Sequence, residues 1–232
     1  MIYKASDRGH FDFGWLDTNH TFSFGHYMNT ERMNFGMLRV FNDDVVAPGE
    51  GFGTHPHNNM EIISIPLEGV IMHRDSMGHE EGLRPGDVQV MSAGTGLTHS
   101  EYNGSATDVL KFLQIWIIPN ARNVEPRYDQ VNIGDAERNV LHTVVGPKNS
   151  GMPLWINQDA WLSIAKVDAG ASVVHTRRAP GSGMFVFVIE GSLKIDDAVL
   201  TRRDAVGIVD RDTIEISAAS DAYFVVIDVP LA

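Results

Sequence analysis

The sequence predicts an all-β protein made of two jelly-roll barrels in series. Three observations carry that expectation: extended segments far outnumber helical ones, glycines are scattered along the chain, and a short strand-turn-strand sequence recurs in the second half. Segments at residues 37–40, 61–66, 70–74, 88–92, 110–118, 141–145 and 161–167 are mostly rich in β-branched or aromatic side chains and end at Gly, Pro or Asn. The 22 glycines form no tract, and so read as the tight turns that many short strands require. Residues 120–127 are polar, contain Pro126 and separate two strand-rich regions, so they read as a linker, with a boundary near 130 between halves 1–130 and 131–232. The stretch PLEGVIMHRD at 66–75 echoes VIEGSLKIDD at 188–197, placing Glu68 against Glu190 at an offset of 122 residues. Strands in two serial blocks fit paired sandwiches or barrels better than any alternation of strand and helix.

Composition removes several function classes. Eighteen basic residues stand against 30 acidic ones for a net charge of −12, and no stretch gathers Lys and Arg into a stripe that could follow phosphates, so direct nucleic-acid binding is not expected. No run of about 18 apolar residues suggests a membrane span, and the start MIYKASDRGHFDFGW lacks the features of a secretion signal, so a cytoplasmic location is expected. Cysteine is absent, which rules out disulfides, thiolate ligands and Cys nucleophiles together. Any metal must therefore be held by nitrogen and oxygen. The Gly94-Thr95-Gly96 turn precedes no helix and has no lysine placed to reach a phosphate, so it is not read as a nucleotide loop.

Two short constellations carry the chemistry. In GEGFGTHPHNNME, residues 49–61, His55 and His57 stand two apart, and on an extended backbone that spacing points both imidazoles to one face with their roots about 7 Å apart. In GDVQVMSAGTGLTHSEYN, residues 86–103, His99 and Glu101 repeat the spacing. Two strands of one barrel, each turning such a pair inward, bring three imidazoles and one carboxylate together, a set suited to Fe, Mn, Co, Ni or Zn. Four protein donors leave positions open for substrate on a six-coordinate ion. His10, His73, His79 and His142 read as surface or core-satisfied residues, and Trp116, in FLQIWII, reads as core.

The stretches HPHNNMEIISIPLEGVIMHRDSMG and MSAGTGLTHSEYN, with the approach HTFSFGHY at 20–27, resemble the pirin family of bicupins across roughly residues 8–130. Beyond 130 the likeness is general. The spacing also departs from the wider cupin pattern, because Gly69 falls one residue late and Gly94 stands where proline is usual. The resemblance implies one metal, held by His55, His57, His99 and Glu101, with Glu61 outside the ligand set and the second half, 131–232, a degenerate barrel without metal. Transferring the offset of 122 maps those four positions to Arg177, Ala179, Asp221 and Tyr223, which do not reproduce the donor set.

The resemblance further implies a quercetin 2,3-dioxygenase, with Fe(II) favoured and Zn, Mn, Co, Ni or Cu as alternatives, a small aromatic substrate, O2, and Glu101 as catalytic base. Phe24 and Phe52 are the expected substrate contacts, while Phe22, Tyr27 and Met37 either share that pocket or pack in the core. The alternative implied by the family is a metal- and redox-sensing interaction protein with a protein partner and no physiological turnover.

Overall fold

The computed structural model describes residues 1–231. In the first half the strands are β1 (Ile2–Tyr3), β2 (Gly9–Asp12), β3 (Leu16–His20), β4 (Leu38–Val46), β5 (Gly51–His57) and β6 (Glu61–Glu68). They continue as β7 (Ile71–Asp75), β8 (Glu80–Leu83), β9 (Asp87–Ser92), β10 (Leu97–Asn103), β11 (Leu110–Ile117) and β12 (Arg127–Asn132). The second half holds β13 (His142–Pro147), β14 (Leu154–Ile156), β15 (Trp161–Val167), β16 (Ser172–Thr176) and β17 (Ser182–Glu190). It ends with β18 (Ser192–Ile195), β19 (Ala198–Thr201), β20 (Ala205–Ile208), β21 (Thr213–Ala218) and β22 (Ala222–Pro230). One 3-10 turn, Ala5–Asp7, is the helical element among the described residues.

Each half is a barrel made by a seven-stranded sheet facing a four-stranded one. The first pairs β12-β9-β6-β11-β4-β3-β2 with β5-β10-β7-β8, and the second pairs β1-β20-β17-β22-β15-β13-β14 with β16-β21-β18-β19. The two large sheets pack against each other through Phe41, Ile63, Ile65, Leu113 and Ile115 on one side and Leu162, Phe185, Phe187, Val225 and Ile227 on the other. Sheets covered on both faces need apolar residues on both, which is why β11 and β22 read as nearly continuous apolar runs.

The halves are interleaved. β12, which contains the expected boundary residue 130, pairs with β9, while β1 crosses over to pair with β20, setting Ile2 against Val206 and Tyr3 against Ala205. Phe35 fills a notch where Gly183 and Gly207 leave no room for a side chain, since a Cβ at either would lie 2.6 Å from its ring. Asp43 receives the buried guanidinium of Arg203 at 2.9 Å and that of Arg8 at 3.4 Å.

The echoed sequence marks equivalent hairpins. Gly69 joins β6 to β7 and Gly191 joins β17 to β18, both with φ +81°, a conformation that favours glycine. The offset of 122 does not extend to the positions facing His55 and His99, because the intervening connections differ in length. On the matching pair β16–β21, the buried positions are Val173 and His175 opposite Ile216 and Ile214, not Arg177, Ala179, Asp221 and Tyr223. There His175 meets Asp228 at 2.8 Å.

The two interiors differ. In the second barrel one apolar cluster, including Val173, Met184, Val188, Ile216 and Phe224, fills the space. In the first barrel the core is split between a group around Leu16, Val46, Leu110 and Phe112 and another around Ile62, Met91 and Leu97. A polar row runs between them: strand register places His20, Asn42, Gln114, Ser64 and Gln89 side by side across β3, β4, β11, β6 and β9. All five are buried.

Candidate metal centre

β5 and β10 are antiparallel neighbours, with His99 directly opposite His55. The two-residue spacing keeps His57 on the face of His55, and the three ring centroids lie 4.5 to 4.9 Å apart. Between His99 and Glu101 the register slips, so that Glu101 faces Phe52 instead of Gly53. An extra residue in β5 turns its side-chain alternation over by one, bringing Phe52 to the interior beside the histidines.

His55 Nδ1 lies 2.8 Å from the Gly53 carbonyl and donates to it, which leaves the Nε2 lone pair free. That Nε2 is 3.1 Å from His99 Nε2. Two donors at about 2.0–2.1 Å from one ion stand about 2.9–3.4 Å apart for octahedral or tetrahedral angles, so the spacing suits adjacent ligands. The bond from the far ring nitrogen to a backbone carbonyl is the support that metal-bound histidines ordinarily have. Burial, with His55 nearby, lowers the pKa of His57 to about 4. Burial, aided by His55, His57 and His73, lowers that of His99 to about 2. Both imidazoles are neutral at pH 7, the state that binds a cation. The donor set therefore fits a divalent transition ion.

Glu101 is buried at the cavity floor. Gln114 Nε2 donates to its Oε2 at 2.8 Å, and Ser64 Oγ lies 3.2 Å from its Oε1. Burial pushes its pKa up to about 7, against the pull of these two donors. Donor atoms of His55, His57 and His99 group within 4.8 Å of one another, and those of Glu101 group with His99 and His73. Thus Glu101 joins the histidine cluster through His99. His73 has other partners: Gln89 Nε2 meets its Nδ1 at 3.0 Å and Asp75 its Nε2 at 3.4 Å, so both ring nitrogens are engaged. Tyr128 packs over His73, and Asp75 also holds His79 at 2.8 Å. Glu61 lies in neither group; Ser92 donates to it at 2.6 Å and Asn157 at 3.1 Å.

A cavity of about 430 Å³ opens above these groups, walled by Trp15, Phe24, Phe52 and Trp116, with Asn42, Asp44 and Gln114 at its polar side. Both aromatic residues expected at the substrate, Phe24 and Phe52, line it. Phe22 does not, being fully buried between the barrels with Met37 packed against the same core, and Tyr27 sits over Gly9. Trp116, read from sequence as core, is a correction: it is half-buried, lines the cavity, and meets His57 edge-on at 4.9 Å. Trp15, Asn42, Asp44 and Gln114 were not singled out by sequence. The signal available for Gln114 was an amide inside the apolar run LKFLQIWI.

The pirin family profile matches residues 4–117, and the profile described as the quercetinase C-terminal cupin domain matches residues 143–229. A quercetin 2,3-dioxygenase of Escherichia coli K12 is 40% identical over 99% of both chains. A pirin-like protein of Caulobacter vibrioides is 37% identical over 94% of both. The crystal structure of bacterial pirin YhhW from Escherichia coli in complex with nickel(II) superposes with a TM-score of 0.94 at 39% identity, covering 100% of this chain and 99% of that one. With paired barrels, both family profiles and relatives matched along nearly their whole length, this chain belongs to the pirin family.

Proposed function

We propose that this protein is a metal-dependent dioxygenase that opens a flavonol such as quercetin, with one divalent transition ion held by His55, His57, His99 and Glu101. The observation that carries this reading is the set of clustered imidazoles and a buried carboxyl at the floor of an aromatic-walled cavity. The quercetin 2,3-dioxygenase of Escherichia coli supports the reaction class, and the nickel(II) complex of YhhW supports a divalent ion in the family. Fe(II) is the favoured ion, and the nitrogen and oxygen donors also accept Ni, Co, Mn, Zn or Cu.

When bound, such an ion supplies Lewis acidity that lowers the pKa of a coordinated hydroxyl. Glu101 accepts the proton of the substrate's 3-hydroxyl, while Gln114 and Ser64 hold its carboxylate in place. Phe24, Phe52, Trp15 and Trp116 cover the flat ring and keep water from it. The electron-rich ring then reacts with O2; both oxygen atoms enter the opened product and one ring carbon leaves as carbon monoxide.

Protein loaded in turn with Fe, Mn, Co, Ni or Cu should bleach the flavonol absorbance of quercetin under air. Glu101→Gln keeps the side-chain volume and should reduce kcat by about 100-fold or more, with the melting temperature nearly unchanged. No bleaching with any ion, or a fully active Glu101→Gln variant, overturns the reading.

A further inference from the structure

A second cavity, of about 310 Å³, opens at the seam between the barrels and shares no lining residue with the metal centre. The end of β6, the turn between β8 and β9 and the connection after β12 enclose it on one side. On the other, strand register sets Lys166 of β15 opposite Tyr223 of β22, and Ile164 opposite His142 of β13. Residues 164 and 166 share one face of β15, so all four side chains line the seam. Leu67, Ile133 and Ile164 supply its apolar surface. Lys166 Nζ stands 5.5 Å from the centre of the Tyr223 ring and forms no ion pair among the described residues. The Tyr223 hydroxyl has no hydrogen-bond partner among them either, and burial alone pushes its pKa up to about 12. His142 Nε2 donates to the Glu137 carbonyl at 2.8 Å, which leaves Nδ1 as the free ring nitrogen. The Glu137 carboxylate also lines the cavity and is unpaired among the described residues.

We propose that this seam cavity binds a free apolar α-amino acid, its carboxylate toward Lys166 and Tyr223, its ammonium toward Glu137 and His142, and its side chain against Leu67, Ile133 and Ile164. The sheet order β22-β15-β13 separates the two donors from the two acceptors by one to two strand spacings, about 5–10 Å. An α-amino acid carries its opposite charges on neighbouring carbons, and with a hydrogen bond of about 3 Å at each end it spans that interval. A plain carboxylate leaves the acceptors unmet, and a plain amine leaves the donors unmet. The volume stands at the lower end of the range of about 300–1,000 Å³ for small-molecule sites, which suits a ligand of this size. Both barrels and their connection wall the cavity, so an occupant also ties the halves together. None of these contacts depends on the reaction at the metal centre.

Calorimetric titration of the metal-loaded protein tests this with L-leucine, with 4-methylpentanoate, which lacks its amine, and with 3-methylbutylamine, which lacks its carboxylate. L-Leucine should bind at least about 10-fold more tightly than either analogue and raise the melting temperature at saturation. Lys166→Gln should weaken L-leucine by about 10-fold and bring it level with the amine. Glu137→Gln should weaken it by about as much and bring it level with the carboxylate. Both side chains are exposed, so neither substitution should disturb folding. The two variants also separate the seam from the metal, since leucine chelated by the ion would bind them as it binds wild type. No binding of L-leucine, equal affinity for the three probes, or wild-type affinity in both variants overturns the proposal.

Discussion

Asp44 and Glu101 occupy the same cavity, and burial pushes each up to about 7. Asp44 is the better probe of that environment, because Glu101 belongs to the proposed ligand set. An acid whose pKa is raised by folding holds its proton more tightly in the native state. Its contribution to stability is complete below the ordinary value of 3.8 and is lost as pH rises through about 7. Asp44→Asn keeps the acceptor for Thr18 and removes the ionisation. Its stability relative to wild type should therefore rise between pH 4 and pH 8, by up to about 4 kcal/mol at the alkaline end. Urea unfolding of both proteins across that range measures it, and a constant difference would show that Asp44 ionises freely. His55, His57, His99 and Glu101 were legible in the sequence because each pair is local, two residues apart on one strand. Asn42, Asp44 and Gln114 were not, because their meeting depends on which strands pair and in what register. Trp116 was hidden for a related reason: β11 is covered on both faces, so its sequence shows no alternation to separate a cavity wall from core.

Strand ends show the same dependence on partners. Residues 37–40 were visible as extended, but β4 runs on to Val46 through Asn42, Asp43 and Asp44, a polar triplet that resembles a turn. It remains a strand because Thr18 meets Asp44, and Arg8 and Arg203 meet Asp43. The hairpins at Gly69 and Gly191 were visible as an echo, yet their surroundings differ. A Cβ at Gly69 would lie 2.8 Å from the Val109 carbonyl oxygen, and one at Gly191 would lie 2.0 Å from that of Asp221. Alanine at either site incurs the left-handed penalty of about 1–2 kcal/mol, and the tighter contact adds to it at position 191. Gly191→Ala should accordingly lower the urea midpoint more than Gly69→Ala. The opposite order would mean that the second hairpin yields more readily than its packing indicates.

Across the whole molecule, β4 joins the cavity to the interface between barrels. Asn42 and Asp44 face the cavity, while Asp43 on the opposite face anchors Arg203 from the second half and Arg8 from the first. Removing this carboxylate would leave two buried guanidinium groups without their shared partner. Asp43→Ala should therefore lose about 3–5 kcal/mol of unfolding free energy. Its urea midpoint measures the loss, and a change below about 1 kcal/mol would place the ion triad among weak surface pairs. Two barrels in series were legible from the spacing of strands and turns. Their interleaving was not, since a two-residue strand such as β1 carries no pattern of its own. That crossover bears on biosynthesis. Ile2 and Tyr3 leave the ribosome about 200 residues ahead of Val206 and Ala205, an interval on the order of 10–40 s at ordinary elongation rates. For that time the leading segment has nothing to zip onto, and the stitch closes only after β20 has emerged from the exit tunnel.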